Sequence, residues 1–516
     1  MIPKGLGTEQ DLLKRFKKAE DRFEMWRSLH QEAMDYSCPN RETFNERSAG
    51  QTKDRHIFDS TAVVGLSQFA NRIQAALVPS WQQWARIVTG SEVPAEDAAE
   101  LNPELEIITN KFFDALNHSN FSTEISPSLI DLGIGTGAIL LEEGEFKSGD
   151  MFRFTNIPLA ELYPERPPNG PVESAWRKQE IELAHVTRVW PKAKLPDKLA
   201  EKAKKDPYSK ETFLNGMLFN PTDKKYHQIV MHEASKSVVF TQSFNKKRLI
   251  VFRWQVTPNE VFGRGPVIQQ IADIRTLNKV KEFVLQNAAL QIAGVYTGVD
   301  DGIFNPHTFQ VKPGIINPVS SNDINNPSIR PLERAGDIGL SQFVMNDLQD
   351  GIKKALMSEP LGDVTDAVKS ATEQQIRQNE NLKDRGSSFG RLKTELVEPL
   401  IAAGMDILKS RGVIPDLKLD GKEVTIRHTS PLAKSEDVED FQNIQIWLQT
   451  LMGMLPPEMM ALAVKMEDVP RFMQEKLGLP ATLVRTPEES NAMMQKAQQE
   501  AEAQQEAQGG QQQQPV

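Results

Sequence analysis

The side chains that could do chemistry are few and scattered. Gly133-Ile-Gly-Thr-Gly137 is the most suggestive group, because a GxGxG loop lets backbone wrap a pyrophosphate when it follows a strand and opens a helix. Here the order is helix, glycines, strand, and no acidic residue closes a second Rossmann strand. The cluster therefore reads as a tight helix-to-strand turn. No Lys-Ser/Thr pair follows it, so it is not a triphosphate loop, and no G-x-S-x-G elbow occurs. The eight histidines (His30, His56, His118, His185, His227, His232, His307 and His428) form no HExxH or other metal spacing. His227 and His232 are five apart in a strand pattern and must point to opposite faces, while His30 lies beside a helical stripe and reads as structural. The carboxylate pairs Glu142-Glu143, Asp300-Asp301 and Glu488-Glu489 are adjacent in sequence, and nothing around them selects a two-metal site. The reading is no catalytic residue, no cofactor site and no metal site. A nuclease built from distant carboxylates stays open as an alternative.

The composition is that of an ordinary globular protein. Of 516 residues, 39% are hydrophobic and 25% charged, which suits a few globular domains, each with its own core. One cysteine, Cys38, excludes an internal disulfide framework. No run approaches the length of a membrane helix, and Met1-Ile-Pro-Lys-Gly-Leu-Gly7 has no apolar stretch behind its lysine; the expectation is a soluble product made in the cytoplasm. The net charge of -10 argues against broad adhesion to DNA but not against a protein that touches DNA without gripping it. The charge is uneven: Pro431–Val516 holds 6 Lys+Arg against 13 Asp+Glu.

The elements follow from periodicity and punctuation. Thr8 with Asp11 resembles a capping box, and Leu12, Phe16, Ala19, Phe23, Trp26, Leu29 and Ala33 give a helix to about Tyr36. Helices are expected over Ser60–Leu77 (stripe Val64, Phe69, Ile73, Leu77), Glu104–Leu116 and Ile125–Gly133, then a strand from Ala138. Trp81 and Trp84 suggest a buried corner or a subunit contact, ahead of a base-stacking platform. Short strands and helices fill 152–256, where Ser237–Phe244 and Leu249–Val256 read as strands joined by the basic turn Asn245-Lys-Lys-Arg248. The lysine-rich stretches at 192–205 and 246–248 read as solubilising loops, with a partner-binding patch as the alternative. Pro266 opens a helix reaching Ile292, about 40 Å long. An insertion, Tyr296–Leu332, separates it from a second helix, Ile338–Met357, striped by Phe343, Leu348, Ile352 and Leu356. A loop at Ser358–Val364 precedes a helical pattern to Leu408, with breaks expected around Gly386–Gly390 and at Pro399. Leu417–Ile426 reads as a hairpin turning at Asp420-Gly421, helices follow from Val438 to Met466 and from Thr486, and the chain ends in a Gln-rich tail.

Several motifs, in order along almost the whole chain, resemble the head-to-tail connector, or portal, family of T7-like short-tailed bacteriophages. They include Asp131-Leu-Gly-Ile-Gly-Thr-Gly-Ala-Ile-Leu-Leu-Glu-Glu143, Phe262-Gly-Arg-Gly-Pro266, Asp273-Ile-Arg-Thr-Leu-Asn278 and Val311-Lys-Pro-Gly-Ile-Ile-Asn317. Downstream come Thr372-Glu373, Arg391-Leu-Lys-Thr-Glu-Leu-Val-Glu-Pro-Leu400, Leu477-Gly-Leu-Pro480 and Arg485-Thr-Pro-Glu-Glu489. The family's Met-Thr-Ala-Thr-Glu-like run is replaced here by Val364-Thr-Asp-Ala-Val368 ahead of Thr372-Glu373.

The resemblance implies an α+β portal fold, with a mainly helical stem and crown, a mixed wing and a small α/β clip, closed into a ring of typically twelve subunits. It implies residues 1–260 as wing, 261–293 as stem helix, 294–333 as clip and 334–357 as second stem helix. Residues 358–430 would be tunnel loop, kinked helix and wing hairpin, 431–502 a helical crown, and 503–516 a disordered Gln-rich tail. The implied function is a DNA channel at one capsid vertex of the virion, for genome packaging, ejection through the host envelope and entry. Implied partners are non-specific double-stranded DNA, the large terminase ATPase at the clip, tail adaptor and nozzle proteins, and capsid, scaffolding and internal core proteins. No membrane-spanning segment and no enzymatic activity is expected. An internal core or scaffolding protein of head assembly is the second reading. A slippery channel further requires that Arg275, Lys279 and Lys281 on the stem not form strong DNA-holding rings.

Overall fold

The computed structural model describes residues 2–41, 44, 50, 56–90, 92–144, 150–165, 170–293, 296–298, 329–331, 338–359, 386–415, 424–429, 444–451 and scattered single positions. The fold is mixed α+β. Helix α1 (Glu9–Ser37) opens on the expected capping box: Thr8 N–H donates to Asp11 Oδ2 at 2.9 Å and Asp11 N–H to Thr8 Oγ1 at 3.4 Å. In α2 (Thr61–Leu77) the buried stripe is Ala62, Leu66, Phe69, Ile73 and Leu77. Val64, expected in that stripe, lies on the opposite side of the helix and is 51% exposed. Strand β1 (Ala85–Thr89) carried no clear sequence signal, and α3 (Ala95–Asn117) starts at Ala95 rather than Glu104, with Pro103 inside it.

The chain continues through α4 (Phe121–Ile134), β2 (Thr136–Glu143), β3 (Phe152–Asn156), β4 (Leu162–Pro164) and β5 (Ala175–Glu182). Helices α5 (Leu183–Val189) and α6 (Asp197–Lys205) precede β6 (Lys210–Asn220), β7 (Lys225–His232), β8 (Ser237–Phe244) and β9 (Leu249–Arg253). A short α7 (Pro266–Gln269) breaks at Gln270 and resumes as α8 (Ile271–Ala293). Strands β10 (Tyr296–Gly298) and β11 (Ile329–Pro331) pair antiparallel, and α9 (Ile338–Ala355) follows. Helix α10 (Gly386–Leu392), a π turn (Lys393–Val397), α11 (Glu398–Ser410) and β12 (Val424–His428) complete the named elements.

These elements form two compact units: residues 1–25, 70–265 and 361–516 in one, and 26–69 with 266–360 in the other. The first is built on a five-stranded antiparallel sheet, ordered β4-β5-β6-β7-β8. On one face Phe16 of α1 meets Trp176 (5.8 Å) and Tyr163 (5.3 Å). Gly216 leaves room for that tryptophan, since a Cβ there would come within 2.6 Å of its ring. The other face buries α5 and α6 at one end. At the other end it meets a three-stranded sheet, β3-β2-β9, through Ala138, Leu140, Leu249, Val251, Ala175 and Met217. Strand β12 pairs with β1, Val424 opposite Thr89.

Two expectations for this unit are corrected. Strands β8 and β9 do not form a hairpin: β9 leaves for the second sheet and pairs with β2, from Thr136↔Arg253 to Leu140↔Leu249. The basic turn between them is no solubilising loop either. Lys247 Nζ donates to the Val172 carbonyl, and Arg248 is buried, paired with Asp406 at 3.0 Å and lying over the Phe244 ring at 4.9 Å. In the helical pattern that follows, Gly386–Gly390 is helical, and the pattern's residues before 386 lie outside the described ones. The irregularity is the π turn, because Pro399 has no N–H to return to the Glu395 carbonyl and the preceding turn widens. Buried Glu395 is fixed there by Arg253 at 2.6 Å.

Asp300–Gly302, Thr308–Asn317, Gly362–Val364, Asp420-Gly421, Pro456-Pro457, Thr486–Glu489 and the tail lie outside the described residues. Of the helix expected from Val438, residues 444–451 are helical, with Leu448 buried.

Candidate functional site

The glycine cluster shows why spacing misleads. Gly135 ends α4 with its N–H on the Asp131 carbonyl, and β2 starts at the next residue. The space a ligand would need is filled by the chain's own backbone. Trp254 N–H donates to Gly135 O at 3.0 Å, Gly265 N–H to Ile134 O at 2.8 Å, and Gly263 N–H to Thr136 Oγ1 at 2.9 Å. A Cβ on Gly135 would stand 2.0 Å from Gly263 O, and one on Gly265 2.2 Å from Gly133 O. Two glycine motifs read separately in sequence are thus the two halves of one backbone contact.

Among the described residues the histidines and carboxylates do not converge. His227 bonds Ser243 and Asp223, and His232 bonds Ser235 and Glu211 on the opposite face of β7. His30 is fully buried beside Trp26 and Phe44, and burial pushes its pKa down to about 3. Burial raises the Glu142 carboxyl, with Arg153 and Arg177 opposing, while Glu143 lies 4.0 Å from Arg248. Among the described residues no group of three His, Cys, Asp or Glu could hold a metal ion, and no helix is long and apolar enough to cross a membrane. Of the two tryptophans, Trp84 is buried edge-on against Phe113 (5.1 Å), whereas Trp81 is 71% exposed.

What the second unit does assemble is a helix pair with its charges answered. Helices α8 and α9 pack together, burying Ile274, Leu277, Ile352 and Leu356. Farther along, the same helices expose apolar side chains: Phe283 at 56%, Leu285 at 49% and Phe343 at 72%. Phe343, read as part of the apolar stripe of α9, lies on the surface of the single chain. Polar contacts fix α8 to the start of α2. Asn278 Oδ1 accepts from Phe58 N–H at 2.7 Å, and its Nδ2 donates to His56 O at 2.8 Å. Buried Asp59 accepts from Lys281 and from Gln349, each at 2.9 Å, and from Thr61 N–H at 2.8 Å. Burial pushes the Asp59 carboxyl up, but these bonds outweigh it and hold it below the usual carboxylate range.

All three cations singled out on the long helix have an acidic partner within this unit. Arg275 pairs with Glu32 at 3.2 Å, Lys279 with Glu282 at 2.8 Å, and Lys281 with Asp59 at 2.9 Å. Lys279 also sits 4.8 Å from the Phe283 ring centroid. Sequence reasoning missed Glu32, Asp59 and Gln349. No local pattern could have selected them, since Asp59 and Lys281 are 222 positions apart.

The model of the family described as "bacteriophage head to tail connecting protein" matches residues 9–484. The chain is also 20% identical over 452 residues to a "probable portal protein" of Bordetella phage BPP-1, spanning 82% of this chain and 79% of that one. The family match takes in both compact units, the paired glycine motifs and the helix pair with its answered charges: the chain belongs to the bacteriophage head to tail connecting proteins.

Proposed function

We propose that this protein is a portal subunit of the T7-like type. Copies of it, typically twelve, close a ring at one vertex of the virion, and double-stranded DNA passes through the ring during packaging and ejection. In this reading α7–α8 and α9 are the stem, the insertion between them is the clip that meets the terminase ATPase and later the tail adaptors, residues 358–364 are the tunnel loop, and the chain before 260 with 365–430 is the wing. Residues 431–502 form the crown. Capsid, scaffolding and core proteins are the neighbours of the wing and crown. The subunit is a conduit without catalysis of its own; the energy of packaging comes from the separate ATPase.

One observation carries the proposal: the long helix pair leaves large apolar side chains exposed in the single chain while its cations are already neutralised. Phe283, Leu285 and Phe343 are the kind of surface a neighbouring copy buries in a closed heterologous ring. Paired cations suit a wall along which DNA must slide, because each phosphate neutralised by a free cation adds salt-dependent affinity. Replacing Arg275, Lys279 and Lys281 together by Gln, which keeps donors for their carboxylate partners, is expected to change the affinity of the assembled protein for duplex DNA by less than twofold. A tenfold or greater loss would mean these residues grip DNA, and the sliding channel would be wrong.

A further inference from the structure

Residues 183–210 break the pattern of answered charge. They hold eight Lys and Arg against three Asp and Glu, inside a chain of net charge -10. These residues form α5, α6 and the adjoining loops, and their mounting is firm. Leu183, Val186, Trp190 and Leu199 are buried against Phe213, Val230, Val239 and Phe240 of the five-stranded sheet. The N–H of Lys194 donates to Val239 O at 2.7 Å, pinning the loop between the helices to the edge of β8.

The cations stand on the side away from that core. Arg188, Lys192, Lys194, Lys198, Lys204 and Lys205 are all exposed, and among the described residues none of the six has a carboxylate within ion-pair distance. Lys202, paired with Glu211, is the contrast within the same helix. Helix capping explains part of this: Lys202, Lys204 and Lys205 fill the last turn of α6, where the backbone dipole favours positive charge. It does not explain Arg188, Lys192 and Lys194, which lie outside α6.

The surface fits a polyanion better than a protein. Protein interfaces have apolar centres and are depleted in lysine, and here Val189 and Tyr208 are the large apolar side chains in reach of solvent. A phosphate backbone asks only for positive charges on a rigid base, with an occasional hydroxyl such as that of Tyr208, 74% exposed. We infer that the α5–α6 corner is a binding surface for the phosphate backbone of double-stranded DNA, without sequence preference. It uses residues distinct from those of the α8–α9 pair, and it does not rest on the channel reading. DNA lying here is held, not slid.

The test is fluorescence anisotropy of a labelled mixed-sequence duplex of about 30 base pairs, titrated with the full-length assembled protein over a range of salt. With about four phosphates engaged, affinity should fall about a hundredfold between 0.05 and 0.2 M salt. The triple substitution Lys198→Glu, Lys204→Glu, Lys205→Glu should lower the log–log salt slope by about three and weaken binding at least tenfold. The corresponding Arg substitutions should retain binding, which separates lost charge from lost folding. The Gln substitutions at 275, 279 and 281 serve as the internal comparison. If they abolish binding and the corner substitutions do not, both this inference and the sliding channel fall. If wild-type protein shows no salt-dependent DNA binding, or the Glu substitutions leave it unchanged, the corner is an ordinary solvated face. If a poly-glutamate peptide competes as strongly as DNA at equal charge, the surface belongs to an acidic protein, and the DNA assignment is overturned.

Discussion

At the scale of single residues, the buried histidine and the glycine motifs are held by packing. His30 is the clearest instance: its spacing placed it beside a helical stripe, and it is fully buried, with Trp26 and Phe44 among its neighbours. Because the folded pKa, about 3, lies below the ordinary value of 6.5, the unfolded chain takes up a proton first as pH falls. Stability from His30 is complete above about 6.5 and is lost progressively as pH drops towards 3. Denaturation midpoints at pH 7, 5.5 and 4.5 should therefore fall, and His30→Phe should flatten that fall; an unchanged slope would remove His30 as its cause. Asp59 acts at lower pH, its contribution fading only below the usual carboxylate range. The glycines make the second residue-scale prediction. Gly135→Ala should destabilise by about 3 kcal/mol or more, since its Cβ would sit 2.0 Å from a backbone oxygen and neither chain can yield. Equilibrium unfolding with near wild-type stability would contradict the backbone contact. The sequence could say that Gly133–Gly137 was a turn, not that Gly263–Gly265 was what it turned against.

At the scale of elements, periodicity served where one face met one core. The capping box of α1 and the second helix from Ile338 stand where they were expected, and the long helix after Pro266 does so apart from a break at Gln270. It failed where a strand had to choose a partner: nothing local tells β9 to pair with β2, or β12 with β1, across more than a hundred and more than three hundred residues respectively. It also misjudged Val64, because an apolar residue can mark a face that a single chain leaves uncovered. The end of α9 shows a local rule broken. Met357 occupies the left-handed region (φ 53°) while Ser358 N–H closes on the Lys353 carbonyl at 2.8 Å, a position where glycine is the unstrained choice. Met357→Gly should relieve about 1 kcal/mol of backbone strain and raise the melting temperature, less what the half-buried side chain contributes. A lower melting temperature would show that the methionine's packing outweighs the strain.

At the scale of the whole molecule, charge placement carries more than charge total. A net -10 hides three regimes: an acidic stretch from Pro431, a helix pair whose three singled-out cations are paired, and a basic corner of α5 and α6 where, among the described residues, six cations have no carboxylate partner. The second of these, with the apolar side chains bared beside it, is the basis of the proposed ring. Electron microscopy of the purified full-length protein tests that directly. Closed rings with a central hole wide enough for duplex DNA are expected. Monomers, or rods without a hole, at concentrations where the protein is folded would contradict the ring.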